Sequence, residues 1–435
     1  MLLLLTVEFR KLIPSPYSTE ALKNCVRVGD SGRWHVDLEA DIETIVSSAA
    51  ANATTEKPTL SISAKLDKSG KTIFFAGDFE TDLILRATFR RLVRRFGIYL
   101  PNREAIVSGI IEASSEASPF NVVRCDIKSF YESLDAKPHI ERILADTRTS
   151  TELKNVLRAV YDTTGLPVST APRGLAFSSV IAEMTLRDFD KKIRKSPGIH
   201  RFFRYADDIL VFSLPHVPVL KILQAELTSL GLELNKKTEQ CSVASQKTSR
   251  NVPTSYRHFN YLGYNFRTLE NVKSYESREL NVSISRAKLS KRKTRLFYAL
   301  HAFKKDGDAE ILLDRLSYLS VNRSVFKTKH TRGSRRQKIR TGIHYNYARC
   351  GFYPSTKHRR KKEEHLAAEL VELDVVLKNA LFGQNSEFAE GISKLPTATY
   401  DSLSRVSFAQ GFRKRLMKRY SRARVAKICK VWGHD

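Results

Sequence analysis

The sequence lacks any long apolar run. Its one N-terminal cluster, Leu2 to Leu5, gives way to Glu8 and Arg10. That is too short for a secretory signal core and has no basic lead-in. No segment reaches the roughly 20 apolar residues of a membrane helix. Cysteines are scattered: those at 25, 125, 241, 350 and 429 form no C-x-x-C pair. This argues against a zinc site and a disulfide framework, and the expected location is a reducing cytoplasm. Internal repeats and long low-complexity linkers are absent as well. Acidic residues are in deficit, 46 Asp and Glu against 74 Lys and Arg, giving a formal charge of +28. A surplus of that size points to a polyanion, most simply nucleic acid, rather than to a membrane. The 435 residues and 42% hydrophobic share leave room for roughly two to four domains, each with its own core.

What is present centres on residues 201–213, RFFRYADDILVFS. Two aromatic and β-branched runs flank the short polar centre Tyr205-Ala206-Asp207-Asp208, a pattern that predicts a β-hairpin. Adjacent aspartates repel each other. A divalent cation removes the repulsion, and Mg²⁺ binds through one or two carboxylates plus phosphate oxygens. Taken alone, an Asp-Asp pair also fits a solvated acidic turn.

Residues 1–60 carry no readable motif. Lys71 to Phe75 reads as a short strand, and Gly77-Asp78 as its turn. From Leu83 to Ala113 the pattern is helical and basic. Arg86, Arg90, Arg91, Arg94 and Arg95 fall within ten residues, and arginines three or four apart share a helix face. Such a face suits a triphosphate or a template backbone, and equally suits solvent. Val122, Val123 and Cys125 predict a buried strand with Asp126 at its end, a plausible third carboxylate for the pair at 207–208. Pro172-Arg173-Gly174 leads into a helix carrying Phe177, Ile181 and Met184. A glycine there lets backbone come close to a ligand. Leu220, Leu223, Leu227 and Leu230 give an amphipathic helix stopped by Gly231. The order of elements fits an antiparallel sheet backed by two helices. From about 281 the chain is helical and basic. Residues 327–340 hold seven basic side chains, 357–362 five, and a predicted helix over 411–430 nine. Basic faces backed by apolar stripes suit phosphates.

In this order and spacing, Asp126 through Tyr131, the stretch from Pro172 to Phe189, YADD at 205–208, Gly231 to Thr238 and Phe259 to Gly263 resemble the ordered palm motifs of reverse transcriptases. The likeness covers about 85–266. It is to the bacterial group II intron, retron and abortive-infection lineage, and most of all to defence-associated members. IKSFYESLD at 127–135 and PRGLAFS carry that second likeness. DRLSYLSVNRS at 314–324 and GIHYNY at 342–347 are similar to the type 3 subgroup. One departure is Arg173, where the family usually has Gln.

The resemblance implies an α+β right-hand polymerase with fingers, palm and thumb, an antiparallel palm sheet and a helical basic C-terminal domain. Its expected divisions are an N-terminal extension (1–60), fingers and palm (61–265), thumb (266–345) and a basic C-terminal region (346–435). It implies RNA-directed DNA synthesis in anti-phage defence, with a non-coding RNA template, a DNA product and deoxynucleoside triphosphates. A partner defence protein, a second reverse transcriptase or a homo-oligomer is compatible with it. Two Mg²⁺ ions, with Mn²⁺ as a substitute, would be held by Asp126, Asp207, Asp208 and the Ile127 carbonyl. Tyr131 stands at the steric gate, and Arg86, Arg103, Arg173 and Gly174 around the nucleotide or template. Lys237 is a candidate general acid, and Leu262-Gly263 the primer grip. Arg286, Lys291, Arg335 and Arg336 are expected on nucleic acid. The alternatives are untemplated or protein-primed synthesis in the same role, with Tyr400 or Tyr420 as primer, and an idle RNA-binding scaffold.

Overall fold

The computed structural model describes residues 15–27, 30–38, 40–67, 70–243, 255–270, 277–326, 338–354 and 368–433. Arg335, Arg336 and the basic run at 357–362 lie outside them. Short helices α1 (Thr19–Lys23) and α2 (Asp30–Trp34) precede α3 (Ile42–Ala53) and a hairpin of β1 (Ile62–Leu66) and β2 (Thr72–Ala76). Asp78 then caps α4 (Phe79–Arg95), its carboxylate accepting from the Thr81 N–H at 2.7 Å, which satisfies a donor that the helix itself leaves open. Asn102 does the same for α5 (Arg103–Ser114). Tyr17, Leu22, Val46 and Ala49 pack fully buried in one core with Leu83, Ile84 and Leu92 of α4. The region before residue 60 is therefore a wall of this core, although nothing in its sequence announces a motif.

The central sheet follows. Its strands are β3 (Phe120–Asp126), β4 (Ile199–Tyr205), β5 (Asp208–Ser213) and β6 (Glu239–Val243), all antiparallel, in the order β4-β5-β3-β6. Between β3 and β4 come α6 (Phe130–Ser133), α7 (Lys137–Ala145), α8 (Thr151–Thr164) and α9 (Ser178–Lys195). α10 (Val219–Thr228) follows β5. Side chains alternate across the sheet with period two. Val123, Cys125, Ile209 and Val211 join the core shared with α4, α9 and α10. Phe120, Val122, Leu210 and Phe212 face a second core with α5 and the C-terminal half. The central strands β3 and β5 are thus buried on both sides, and the three aspartates lie at one end of them.

The second core is built on a sheet of β7 (Tyr256–Tyr261), β8 (Tyr264–Leu269), β9 (Leu280–Ile284) and, later in the chain, β12 (Gly351–Tyr353), in the order β12-β9-β8-β7. This sheet runs across residues 265 and 345. After β9 come α11 (Arg286–Asp306), α12 (Ala309–Ser320), β10 (Asn322–Phe326) and β11 (Lys338–Gly342). The final part is α13 (Ala368–Phe382), α14 (Ala389–Ser393), α15 (Thr397–Ser404), α16 (Phe408–Arg413), β13 (Met417–Lys418) and α17 (Arg422–Cys429). The helix expected over 411–430 is therefore interrupted. Arg415 takes φ +51, and Met417-Lys418 pairs in parallel with Asn322-Arg323. Trp432 then anchors the end, its indole N–H donating to the Arg295 carbonyl at 2.8 Å. No helix among the described residues is long and apolar enough to cross a membrane.

The basic stripe of α4 is divided by burial. Arg86 is only 3% exposed. Its guanidinium donates to both Asp30 carboxylate oxygens at 2.6 and 2.9 Å, to Asp82 at 2.6 Å and to the Cys25 carbonyl. It is a structural tie between α4 and the N-terminal helices, which corrects its expected place on the triphosphate. Arg86→Ala leaves the buried Asp30 without its cation and Asp82 with only Arg33, at 3.8 Å. Removing one partner of a buried pair costs about 3–5 kcal/mol. Denaturant unfolding should show a loss of that order, and a loss under about 1 kcal/mol would contradict the assignment.

Candidate active site

Register decides the site. Asp126 ends β3 directly opposite Asp208, the first residue of β5. Asp207 occupies the two-residue turn Ala206-Asp207, with Ala206 at φ +55 and Tyr205 paired to Asp208 across it. All three aspartates meet at one end of the sheet. Ile127 is buried, and its N–H donates to the Asp207 carbonyl at 3.2 Å. Asn235 closes the other side, its N–H on the Asp126 carbonyl at 2.7 Å and its side-chain amide on the Asp126 carboxylate at 3.3 Å.

The two adjacent aspartates are not equivalent. Asp208 lies on the same sheet face as Arg124, diagonally across the strand pair. The Arg124 guanidinium donates to both its carboxylate oxygens, at 3.1 and 3.3 Å, and also reaches Glu239. The Asp208 carbonyl accepts from the Tyr261 hydroxyl at 2.6 Å. Burial raises the Asp208 carboxyl, and Arg124 pulls it back. Asp207 has no such cation. Burial first, and then the Asp126 carboxylate, push it up to about 6.

A carboxylate whose ionisation is opposed by burial and by a neighbouring carboxylate fits a divalent cation, whose charge would remove the conflict. Among the described residues no group of three or more His, Cys, Asp and Glu converges as a metal site. Mg²⁺ needs only one or two carboxylates when substrate phosphates and water complete its shell. The residues present fit the ion: Asp126 and Asp207 would hold it, while Asp208 is spoken for by Arg124.

Tyr131, on α6 right after Asp126, is half-buried against Phe130, with ring centroids 5.1 Å apart. Burial raises its hydroxyl, with the Asp207 carboxylate the next cause, which places the phenol beside the site. Arg173 stands on the same side, bonded to Asp67 at 3.1 Å and Glu132 at 3.2 Å. Lys71 joins that cluster through Ser129 at 3.1 Å and Glu132 at 3.3 Å. Gly174 takes φ +100, and a Cβ there would fall 2.3 Å from the Phe74 carbonyl oxygen. The close approach it permits is to β2, not to a base pair. Phe74 also donates its N–H to the Arg173 carbonyl at 2.8 Å.

A groove of about 1630 Å³ opens from Asp208 and Arg124 towards α11. Arg267, Arg286, Lys288 and Lys293 line it, as do Leu262 and Gly263. Those two form the β7–β8 turn, both with positive φ. Arg103, expected on the triphosphate or the template, lies on this groove. It donates to the Leu262 carbonyl at 2.8 Å and the Asn346 carbonyl at 2.9 Å. Its guanidinium also lies over the Tyr264 and Tyr347 rings, 4.8 and 5.6 Å from their centroids. Lys291 is exposed on α11 but does not line the groove. Lys237 is exposed in the loop before β6, its N–H on Asn235 Oδ1 at 3.4 Å. Tyr420 is tied to the Asp314 carbonyl and packs on Tyr318, whereas Tyr400 is 37% exposed against Phe382.

The roles of Arg124, Lys71, Asn235 and Tyr261 do not follow from the motifs, although Asn235 and Tyr261 lie inside the stretches 231–238 and 259–263. Arg124 stands two residues before Asp126 and hence on its side of the strand.

Residues 101–266 match the family model of reverse transcriptase (RNA-dependent DNA polymerase). The chain carries a reverse transcriptase domain there, and the domain contains all three aspartates, Tyr131 and the β7–β8 turn. Among the solved structures that match is a telomerase from Candida albicans in complex with a TWJ fragment of telomeric RNA. Identity is 12% and the TM-score 0.34, over 89% of this chain and 65% of that one. This chain thus spans just under two thirds of that structure's chain. No curated protein matches its sequence.

Proposed function

We propose that this chain is an RNA-directed DNA polymerase that works with two Mg²⁺ ions in bacterial anti-phage defence, on a non-coding RNA template. One observation supports the chemistry above the rest. Asp126 and Asp207 converge at the end of a rigid sheet, beside a basic groove, inside the segment that matches the polymerase family. In the right-hand reading, β3–β6 with α9 and α10 form the palm, β1, β2 and α4 the fingers, and α11 and α12 the thumb. The defence role and the non-coding RNA rest on the sequence resemblance.

The reaction joins a primer 3′-hydroxyl to the α-phosphate of a deoxynucleotide and releases pyrophosphate. Bound ions would supply charge stabilisation at the attacking and leaving oxygens. The chain's own residues do the placing. Asp126 and Asp207 fix where positive charge sits. Tyr131 closes the space beneath the sugar. Lys71 and Arg173, both bonded to Glu132 next to Tyr131, replace Arg86 and Arg103 as candidates for the triphosphate. Arg286, Lys288 and Lys293 receive the backbone of the nucleic acid along the groove.

Arg173 also keeps a second reading in view. It fills the position where relatives carry a template-supporting Gln, and it is held in ion pairs with Asp67 and Glu132. That arrangement permits untemplated synthesis in place of the ordinary loop. Purifying the protein with its nucleic acid and sequencing both RNA and DNA tests the choice. A discrete RNA with complementary DNA is the expected result. DNA without a matching RNA would establish the second reading. RNA with no DNA, even after Mg²⁺ and deoxynucleotides are supplied, would leave a scaffold.

A further inference from the structure

Arg204 is 5% exposed, on β4 three residues before Asp207. All five of its guanidinium N–H bonds are accounted for. Nε and Nη2 hold the Asp190 carboxylate, both at 2.8 Å. Nη1 and Nη2 hold the Glu183 carboxylate at 3.0 and 2.6 Å. Nη1 gives its other hydrogen to the Ala206 carbonyl at 3.0 Å. Glu183 and Asp190 both belong to α9, the helix that follows the Arg173-Gly174 turn. One planar fork therefore joins α9 to the backbone of the aspartate turn, at the residue with positive φ. A general need for stability does not explain this arrangement, because burying three charges is no cheaper than an apolar contact of the same volume. What the fork supplies is direction. A guanidinium fixes two carboxylates and a carbonyl in one plane, and an ammonium cannot.

We infer that Arg204 is the positioning residue of the catalytic turn, locking the Ala206 carbonyl to α9 so that Asp207 is aimed at Asp126. This deepens the polymerase reading and rests on it. The test uses the full chain and Mn²⁺ as probe. Free Mn²⁺ is followed by electron paramagnetic resonance in wild type, Arg204→Lys, Glu183→Gln and Asp207→Asn. Groups that orient metal ligands are worth about 10–100-fold in metal affinity. Arg204→Lys should therefore weaken Mn²⁺ binding by about that factor. It should lower kcat with deoxynucleotide KM within about twofold, since the nucleotide contacts lie elsewhere. Glu183→Gln, which keeps the Asp190 half of the fork, should fall between Arg204→Lys and wild type. It carries the test if the lysine variant does not fold. A folded Arg204→Lys, or failing that a folded Glu183→Gln, with wild-type Mn²⁺ affinity and kcat overturns the inference alone. A wild type whose Mn²⁺ binding is absent, or unaffected by Asp207→Asn, overturns the metal reading and the inference with it.

Discussion

Asp207→Asn will abolish DNA synthesis and at the same time raise the melting temperature of the metal-free protein at pH 7.5. Both effects come from one carboxylate. Loss of a charge that neither Asp126 nor Arg124-bound Asp208 replaces should lower the rate at least about a thousandfold, on the order of 4 kcal/mol of barrier. The stability effect has the opposite sign. In the folded chain the Asp207 carboxyl is pushed from its usual 3.8 up to about 6. Protonation therefore favours the fold. That contribution is complete below about pH 4, and it is lost as pH rises through about 6. At pH 7.5 wild type carries the full penalty, and the amide removes it. Melting curves in a chelator, taken from pH 4 to 7.5, should show the variant's advantage appear as pH rises. Retained synthesis would contradict the role, and an advantage that grew towards low pH would contradict the charge conflict with Asp126.

Tyr131→Ala will let ribonucleotides in. The ring is packed against Phe130, and the Asp207 carboxylate acts on its hydroxyl, so truncation opens space without cutting a hydrogen bond observed in the structure. Fit in a pocket of this kind is worth about 1–3 kcal/mol, or 10–200-fold in discrimination. The ratio of kcat/KM for deoxy- over ribonucleotides should collapse by that order. Tyr131→Phe keeps the ring and should preserve the ratio within about threefold. An alanine variant as selective as wild type would make Tyr131 a core residue beside the sheet and nothing more.

The aspartates were legible because everything that defines them is local. A two-residue turn between aromatic runs sets their spacing, and strand periodicity sets their faces. The arginines were not. Helical spacing correctly groups Arg86 with Arg90, but Asp30, its buried partner, lies 56 residues away on another helix. Arg103 offers the charge expected of a triphosphate or template contact, yet its acceptors are 159 and 243 residues distant. Gly174 was read as clearance for a ligand because β2, which actually occupies that space, is far off in the chain. A basic side chain shows its charge in the sequence and not its partner. The same holds for the C-terminal region, where the apolar spacing of Phe412, Leu416 and Tyr420 mimics one helix. The chain instead breaks at Arg415 to lend a strand to β10.

The Arg103 clasp has a bearing on the order in which the molecule is made. Its acceptors on Leu262 and Asn346, and the pairing of β12 with β9, draw on residues as late as 353. Among the described residues, the core holding α1–α4 and α6–α10 draws on nothing beyond Leu234. On a ribosome, the earlier half can settle while the later half is still unmade, as domains emerging first generally do. The loop between Arg103 and Asn346 closes only after residue 346 is made, at the entropic cost of a long-range contact. The aspartates would then stand in their strands before the groove beside them is complete.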